Sequence, residues 1–264
     1  MKTWALLPDQ CQIFVFYISL RKLMLGFVMN IHYCADYEGM SQMAFDSLLS
    51  NLKAEPKQLI CTATGYSPTR LYEKLVESNK SDPKIFKEIK IIKLDEWGGT
   101  NGHYTSTNDY YLEEKLLEPL QIPRSNYLAF DSSPTDAKKE CYRMENEIQE
   151  HGPIDICILG LGKNGHLGFN EPSKALVPDC HIANLSESSL KHPMANKMQT
   201  RPTYGLTLGM ANILKSKKII LLVTGPSKKK AIKKLLSREI TTFLPASFLW
   251  LHPNVECFLD KSSL

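Results

Sequence analysis

The chain has 264 residues, of which 43% are hydrophobic and 23% charged, with a formal net charge of +4. That length suits one large α/β domain with a sizeable core. The basic residues are scattered and runs such as Lys228–Lys230 read as a solvated helix face, which argues against a nucleic-acid binder.

Seven cysteines without CxxC or Cys/His metal spacing point to a reducing, cytoplasmic setting without structural zinc or disulfides. Ile13 to Val28 is apolar, but Arg21 and Lys22 interrupt it. The stretch is too short and too charged at its centre for a membrane span, and it lacks the layout of a signal peptide. A strand-then-helix pattern opens at Met29. Residues 1–28 are therefore read as an upstream extension, an over-called start, of a single domain covering 29–264.

Met43, Ala44, Leu48 and Leu49 recur at helical spacing between Ser41 and Leu52. Gln58–Thr62 reads as a buried strand, followed by the turn Ala63-Thr64-Gly65-Tyr66-Ser67 and a helix from Thr69 to Ser78, with Pro68 in its first turn. Unpaired amides and the helix dipole make such a turn an anion site, although an ordinary β–α turn has the same pattern. A strand ending at Leu94 presents Asp95 and Glu96 at its carboxyl rim, either for acid–base work or as solvated loop acids. The Thr/Ser/Asn-rich stretch from His103 to Tyr111 suits the start of a helix that Leu116–Pro123 closes. A strand near Asn126–Phe130 and a helix over Thr135–His151 follow.

The most informative stretch is GLGKNGHLGFNEP, Gly160 to Pro172, directly after the apolar run Ile154–Leu159. The run reads as a strand buried on both faces. Gly160, Gly162, Gly165 and Gly168 let the backbone bend and approach a ligand, and the turn delivers His166, Asn170 and Glu171. Ligands of open parallel sheets bind beyond the carboxyl ends of strands, where this turn would lie. Residues 173–200, with Pro178, His181, His192 and Pro193, lack periodicity and read as a surface excursion or a site-covering segment. Tyr204–Gly209 reads as a strand feeding a short helix, and Lys218–Thr224 as the clearest buried strand in the chain. Gly225-Pro226-Ser227-Lys228 then opens a helix with a cation at its mouth, placed to neutralise a phosphate or simply to begin a lysine-rich face. The last strand lies near Val255–Leu259.

Together these pieces resemble the glucosamine-6-phosphate deaminase family, which shares its fold with the 6-phosphogluconolactonases, and most of all its bacterial galactosamine-6-phosphate deaminase/isomerase branch. The resemblance rests on ATGYSP at 63–68, KLDEW at 93–97, GLGKNGHLGFNEP at 160–172, GLTLG at 205–209, LLVTG at 221–225 and LPASFLWLHP at 244–253. It implies a Rossmann-like three-layer α/β/α sandwich with a mostly parallel central sheet, in agreement with the alternation read from the residues.

The resemblance also implies roles. Asp95 matches the general base that moves a proton between C2 and C1 of the open-chain sugar. His166 matches the residue that opens the pyranose ring, and Glu171 the carboxylate that holds it. Thr64, Gly65, Tyr66 and Ser67, with Gly162, match the substrate- and phosphate-binding turns, and Lys228 the phosphate lysine. No metal or organic cofactor is implied, and a homo-oligomer is left open because the family includes monomers and hexamers.

Three departures stand out. Asn164 replaces an Asp common in the glucosamine type, which leaves stabilisation of a charged His166 to Glu171. Tyr66 replaces a small residue and is expected to narrow the phosphate pocket. His181, Ala183 and Asn184 stand where allosteric members carry basic residues. Two alternatives remain: a 6-phosphogluconolactonase, against which Phe169-Asn170-Glu171-Pro172 argues, and a non-catalytic sugar-phosphate sensor, for which no helix-turn-helix is evident.

Overall fold

The computed structural model describes residues 29–100 and 107–264. The extension expected at 1–28, and the onset of the helix expected from His103, lie outside the described residues. Among the described residues the ten strands are β1 (Asn30–Cys34), β2 (Leu59–Thr62), β3 (Lys90–Lys93), β4 (Asp95–Gly98), β5 (Tyr127–Leu128), β6 (Ile156–Gly160), β7 (His181–Ala183), β8 (Tyr204–Thr207), β9 (Lys218–Val223) and β10 (Val255–Asp260). Among the described residues the α-helices longer than three residues are α1 (Tyr37–Ala54), α2 (Tyr66–Asn79), α3 (Asn108–Leu112), α4 (Ala137–His151), α5 (Glu187–Leu190), α6 (Pro193–Lys197), α7 (Met210–Leu214) and α8 (Lys229–Leu236). A π turn, Glu113–Leu117, continues α3.

Seven strands form the main sheet in the order β1-β10-β9-β6-β2-β3-β5. Every neighbouring pair in it is parallel. Parallel strands carry helices on both faces, so both sets of alternating side chains are buried. Ile60, Ile91, Ile156, Ile158, Ile220 and Leu222 pack beneath α1 and α2 through Met40, Leu48, Leu71 and Tyr72. Cys61, Ile92, Cys157, Leu159, Ile219 and Leu221 face the other way, against Met144 of α4 and Ile232 and Leu235 of α8. This is the expected three-layer sandwich.

From β2 the chain winds outward through β3 and β5, whereas β6, β9 and β10 build the sheet in the opposite direction. The reversal between β2 and β6 is a topological switch point, where an open parallel sheet leaves a crevice at its carboxyl edge.

A second sheet, β4-β8-β7, is antiparallel and sits at that edge. It was not legible as a separate sheet: Asp95–Gly98 reads as loop because the chain leaves the main sheet after Lys93, with Leu94 alone separating β3 from β4. Trp97 of β4, Phe169, Ala183 of β7 and Met198 give this small sheet its own apolar cluster.

Candidate active site

At the switch point lies a cleft of about 320 Å³, within the range of small-molecule sites. Its floor is the carboxyl ends of β2, β6 and β9, and the small sheet and the Ser188–Met194 stretch form its walls.

One end is cationic. The turn Ala63–Ser67 runs into α2, whose first amides lack intrahelical acceptors. Its carbonyls are pinned from behind. Tyr37 Oη donates to Tyr66 O at 2.6 Å, Tyr111 Oη to Gly65 O at 3.0 Å and Tyr72 Oη to Ala63 O at 2.7 Å. Tied back in this way, the turn keeps its amide edge toward the cleft. Lys228, at the end of the Gly225–Lys228 turn, lines the same end with Lys163. Burial, and then the Lys163 charge, pull the Lys228 ammonium down to about 8.

The other end carries acids and a histidine. Asp95 starts β4 and is the one carboxylate among the described residues that line the cleft. Burial, then the neighbouring Glu96 charge, push its carboxyl up to about 7, against the pull of Lys93 and of Asn108. Asn108 Nδ2 donates to Asp95 Oδ1 at 2.7 Å and to Asp95 O at 3.0 Å. The second oxygen faces Gly168, whose φ of +56° suits glycine and where an added Cβ would stand 3.4 Å from Asp95 Oδ2 and 2.8 Å from Thr207 Oγ1.

Glu96, adjacent to Asp95, points the other way, as strand alternation requires. Its Oε2 is 2.7 Å from Lys93 Nζ, both side chains are fully buried, and its carboxylate accepts the amides of Trp97, Asn108 and Asp109. Glu96 is therefore an ion-pair anchor that fixes β4 and the α3 N-terminus, and Asp95 alone is presented to the cleft. Removing one member of such a pair costs about 3–5 kcal/mol.

His166 lines the cleft on the Gly-rich turn, while Asn164 and Glu171 stand behind it. Glu171 Oε2 lies 3.2 Å from His166 Nδ1 and accepts Asn164 Nδ2 at 2.8 Å. Asn164 Oδ1 accepts the His166 amide at 3.2 Å, so one side chain braces both the loop and the carboxylate. Burial alone would raise the Glu171 carboxyl, but bonds from His166, Ser189 and Asn164 outweigh it and hold the group at about 2. A Cβ on Gly162 would overlap the imidazole, so that glycine is what lets the ring fold back over the loop.

The description "glucosamine-6-phosphate isomerases/6-phosphogluconolactonase" belongs to the family whose profile matches residues 38–257. The chain belongs to this family. Within it, the AgaI protein of Escherichia coli (strain K12) is 36% identical over 88% of this chain and 92% of its own length. A glucosamine-6-phosphate deaminase of Geobacillus sp. (strain WCH70) is 33% identical over 89% of this chain and 95% of its own. A solved monomeric glucosamine-6-phosphate deaminase superposes with a TM-score of 0.84 at 31% identity, covering 89% of this chain and 98% of that one. The 6-phosphogluconolactonase of Leishmania guyanensis, with a TM-score of 0.73, covers 90% and 98% but is only 20% identical, which speaks for the shared fold.

The family motifs account for most of what meets in the cleft. Thr64, Gly65, Tyr66, Ser67, Asp95, Gly162, His166 and Lys228 all line it. Tyr66 does not constrict it, however. Its ring stacks on Tyr37 with centroids 4.5 Å apart and is 67% exposed, so it forms the rim.

Sequence reasoning missed Lys163, Asn108, Ser186 and Ser189. Lys163 stands inside the quoted Gly-rich motif and could have been singled out there. Asn108 and the serines carry no local signal, because they reach the site from 13 to 18 residues away along the chain. Among the described residues no cluster of His, Cys, Asp and Glu could hold a metal, and no helix is long and apolar enough to cross a membrane.

Proposed function

We propose that the protein is an amino-sugar phosphate deaminase/isomerase that converts galactosamine 6-phosphate or glucosamine 6-phosphate, with water, to the ketohexose 6-phosphate and ammonia. The observation that carries this reading is that Asp95, a single carboxylate pushed up to about 7, lines one cleft together with Lys228, Lys163, His166 and the Thr64–Ser67 turn. The related deaminases support it, and the resemblance to the galactosamine branch supports galactosamine 6-phosphate as a candidate beside glucosamine 6-phosphate.

The phosphate lies on the Thr64–Ser67 amides and is neutralised by Lys228 and Lys163. His166, its Nδ1 held by Glu171, passes a proton to the ring oxygen as the C1–O5 bond breaks, and the C1 hydroxyl gives up its proton in return, which leaves the open-chain aldehyde and restores the charge of the imidazole. Asp95 takes the proton from C2, next to the amine, and returns it at C1. Its carboxyl near 7 lets it both accept and donate at neutral pH. Water then adds at C2 of the resulting imine and ammonia leaves.

The test is ammonia release from the two sugar phosphates, side by side and without added metal. Turnover of either is expected; silence on both removes the reading. Lys228→Ala should raise KM by roughly 10- to 100-fold with little change in kcat, the loss of one charge-assisted contact. In the parent enzyme KM should also climb above pH 8, as Lys228 loses its proton.

A further inference from the structure

The stretch from Ser186 to Met194, which spans α5 and the start of α6, touches both ends of the cleft. At the acid–base end Ser186 Oγ donates to Glu171 Oε1 at 3.0 Å, and Ser189 Oγ donates to the same oxygen. That is the oxygen Glu171 does not use for His166 and Asn164. At the phosphate end the imidazole of His192 lies over the turn, with Nε2 3.7 Å from where a Cβ on Gly65 would stand.

His192 Nδ1 accepts the Met194 amide at 3.3 Å, capping α6. A neutral ring that accepts at Nδ1 carries its proton on Nε2, the nitrogen aimed at the turn. Burial, and then the charges of Lys228, His166 and Lys163, hold the imidazole at about 4, so the ring is neutral at working pH. Histidine is an uncommon cap where Ser, Thr, Asp or Asn is preferred, and capping uses only Nδ1. The ring is further steadied by Trp97, with centroids 6.2 Å apart.

We infer that His192 donates its Nε2–H to the substrate's phosphate group and thereby holds the Ser186–Met194 wall in place, so that Ser186 and Ser189 set Glu171 against His166. The inference rests on the reading of the cleft as a sugar-phosphate site. Its consequence is that binding energy from the non-reacting phosphate is spent on arranging the ring-opening pair. Ser186 and Ser189 act here as positioning residues, and His192 as a further ligand that selects phosphorylated sugars.

Two measurements that need no turnover test it. Inorganic phosphate is titrated calorimetrically into the parent, His192→Ala and His192→Gln at neutral pH. Affinity should fall about three- to tenfold in the alanine variant, the range of one neutral hydrogen bond, while glutamine, whose amide also donates, lies between. Equal affinity in the parent and His192→Ala overturns the ligand role, and the glutamine variant guards against a folding defect.

In the second measurement, ring signals of His166 and His192 are followed by NMR as phosphate is added. Both should move in the parent. In the Ser186→Ala/Ser189→Ala double variant the His192 response should persist and that of His166 should be lost. An undiminished His166 response overturns the coupling. Failure of the deaminase reading would show separately, as absence of ammonia from the parent with either sugar phosphate.

Discussion

Asp95 lines the cleft and Glu171 stands just behind its lining, both largely withdrawn from water, and burial pushes both carboxyls upward. They nevertheless come to rest at about 7 and about 2. Asp95 accepts one side-chain bond, from Asn108, and has a second carboxylate beside it. Lys93, the cation nearest to hand, is committed to Glu96 at 2.7 Å. Glu171 gathers His166, Asn164, Ser186 and Ser189 on its two oxygens. The contrast teaches that supply of donors, more than depth, separates a carboxylate that exchanges protons at neutral pH from one that remains an anchor.

The strongest attempt to break this comparison is Asp95→Asn, which should lower kcat by roughly 10²–10⁴-fold, the usual worth of a general base. The same variant tests the burial argument through stability. The folded value of Asp95 lies above its unfolded value of 3.8, so its contribution is present below pH 4 and lost as pH rises through about 7. Asparagine cannot ionise. Asp95→Asn should therefore melt above the parent at pH 8 and level with it near pH 4; equal melting at pH 8 would mean that Asp95 is not desolvated.

Glu171→Gln removes the anchor's charge but keeps its shape, and kcat should drop by roughly 10–100-fold, the range of one charge-assisted bond. An unchanged rate would leave His166 without need of its partner. The smallest effect is expected from Asn108→Ala. Without that donor the Asp95 carboxyl climbs further, and the acid limb of the pH–rate profile should move to higher pH. A stationary limb would show that burial alone sets Asp95.

Much of this molecule was readable along the chain. Ile219 to Val223 alternate between two buried faces, and strand, turn and helix follow one another at β2–α2 and again at β9–α8. The loop from Gly160 to Pro172 places His166, Asn164 and Glu171 within eight residues of one another, so their grouping is a local property. Asp95 and Glu96 were not separable in this way. Both stand at a strand end, and only the pairing of β4 with β8 and the buried Lys93 decide which one faces the cleft. The aperiodic stretch after Pro172 was readable as a cover or as a plain excursion. Its hydroxyls meet Glu171 only because the small sheet folds it back.

What the sequence determined by itself was the order of the main-sheet strands, with the turns and helices that follow them, and the contents of each cleft-lining turn. Those depend on backbone sterics and side-chain alternation over a few residues. What only the tertiary structure decided was the character of the groups that meet at the cleft: a titrating Asp95, a fixed Glu171, and a neutral His192 over the Gly65 turn. Ionisation answers to desolvation and to donors brought from distant segments, and neither exists until the chain has folded.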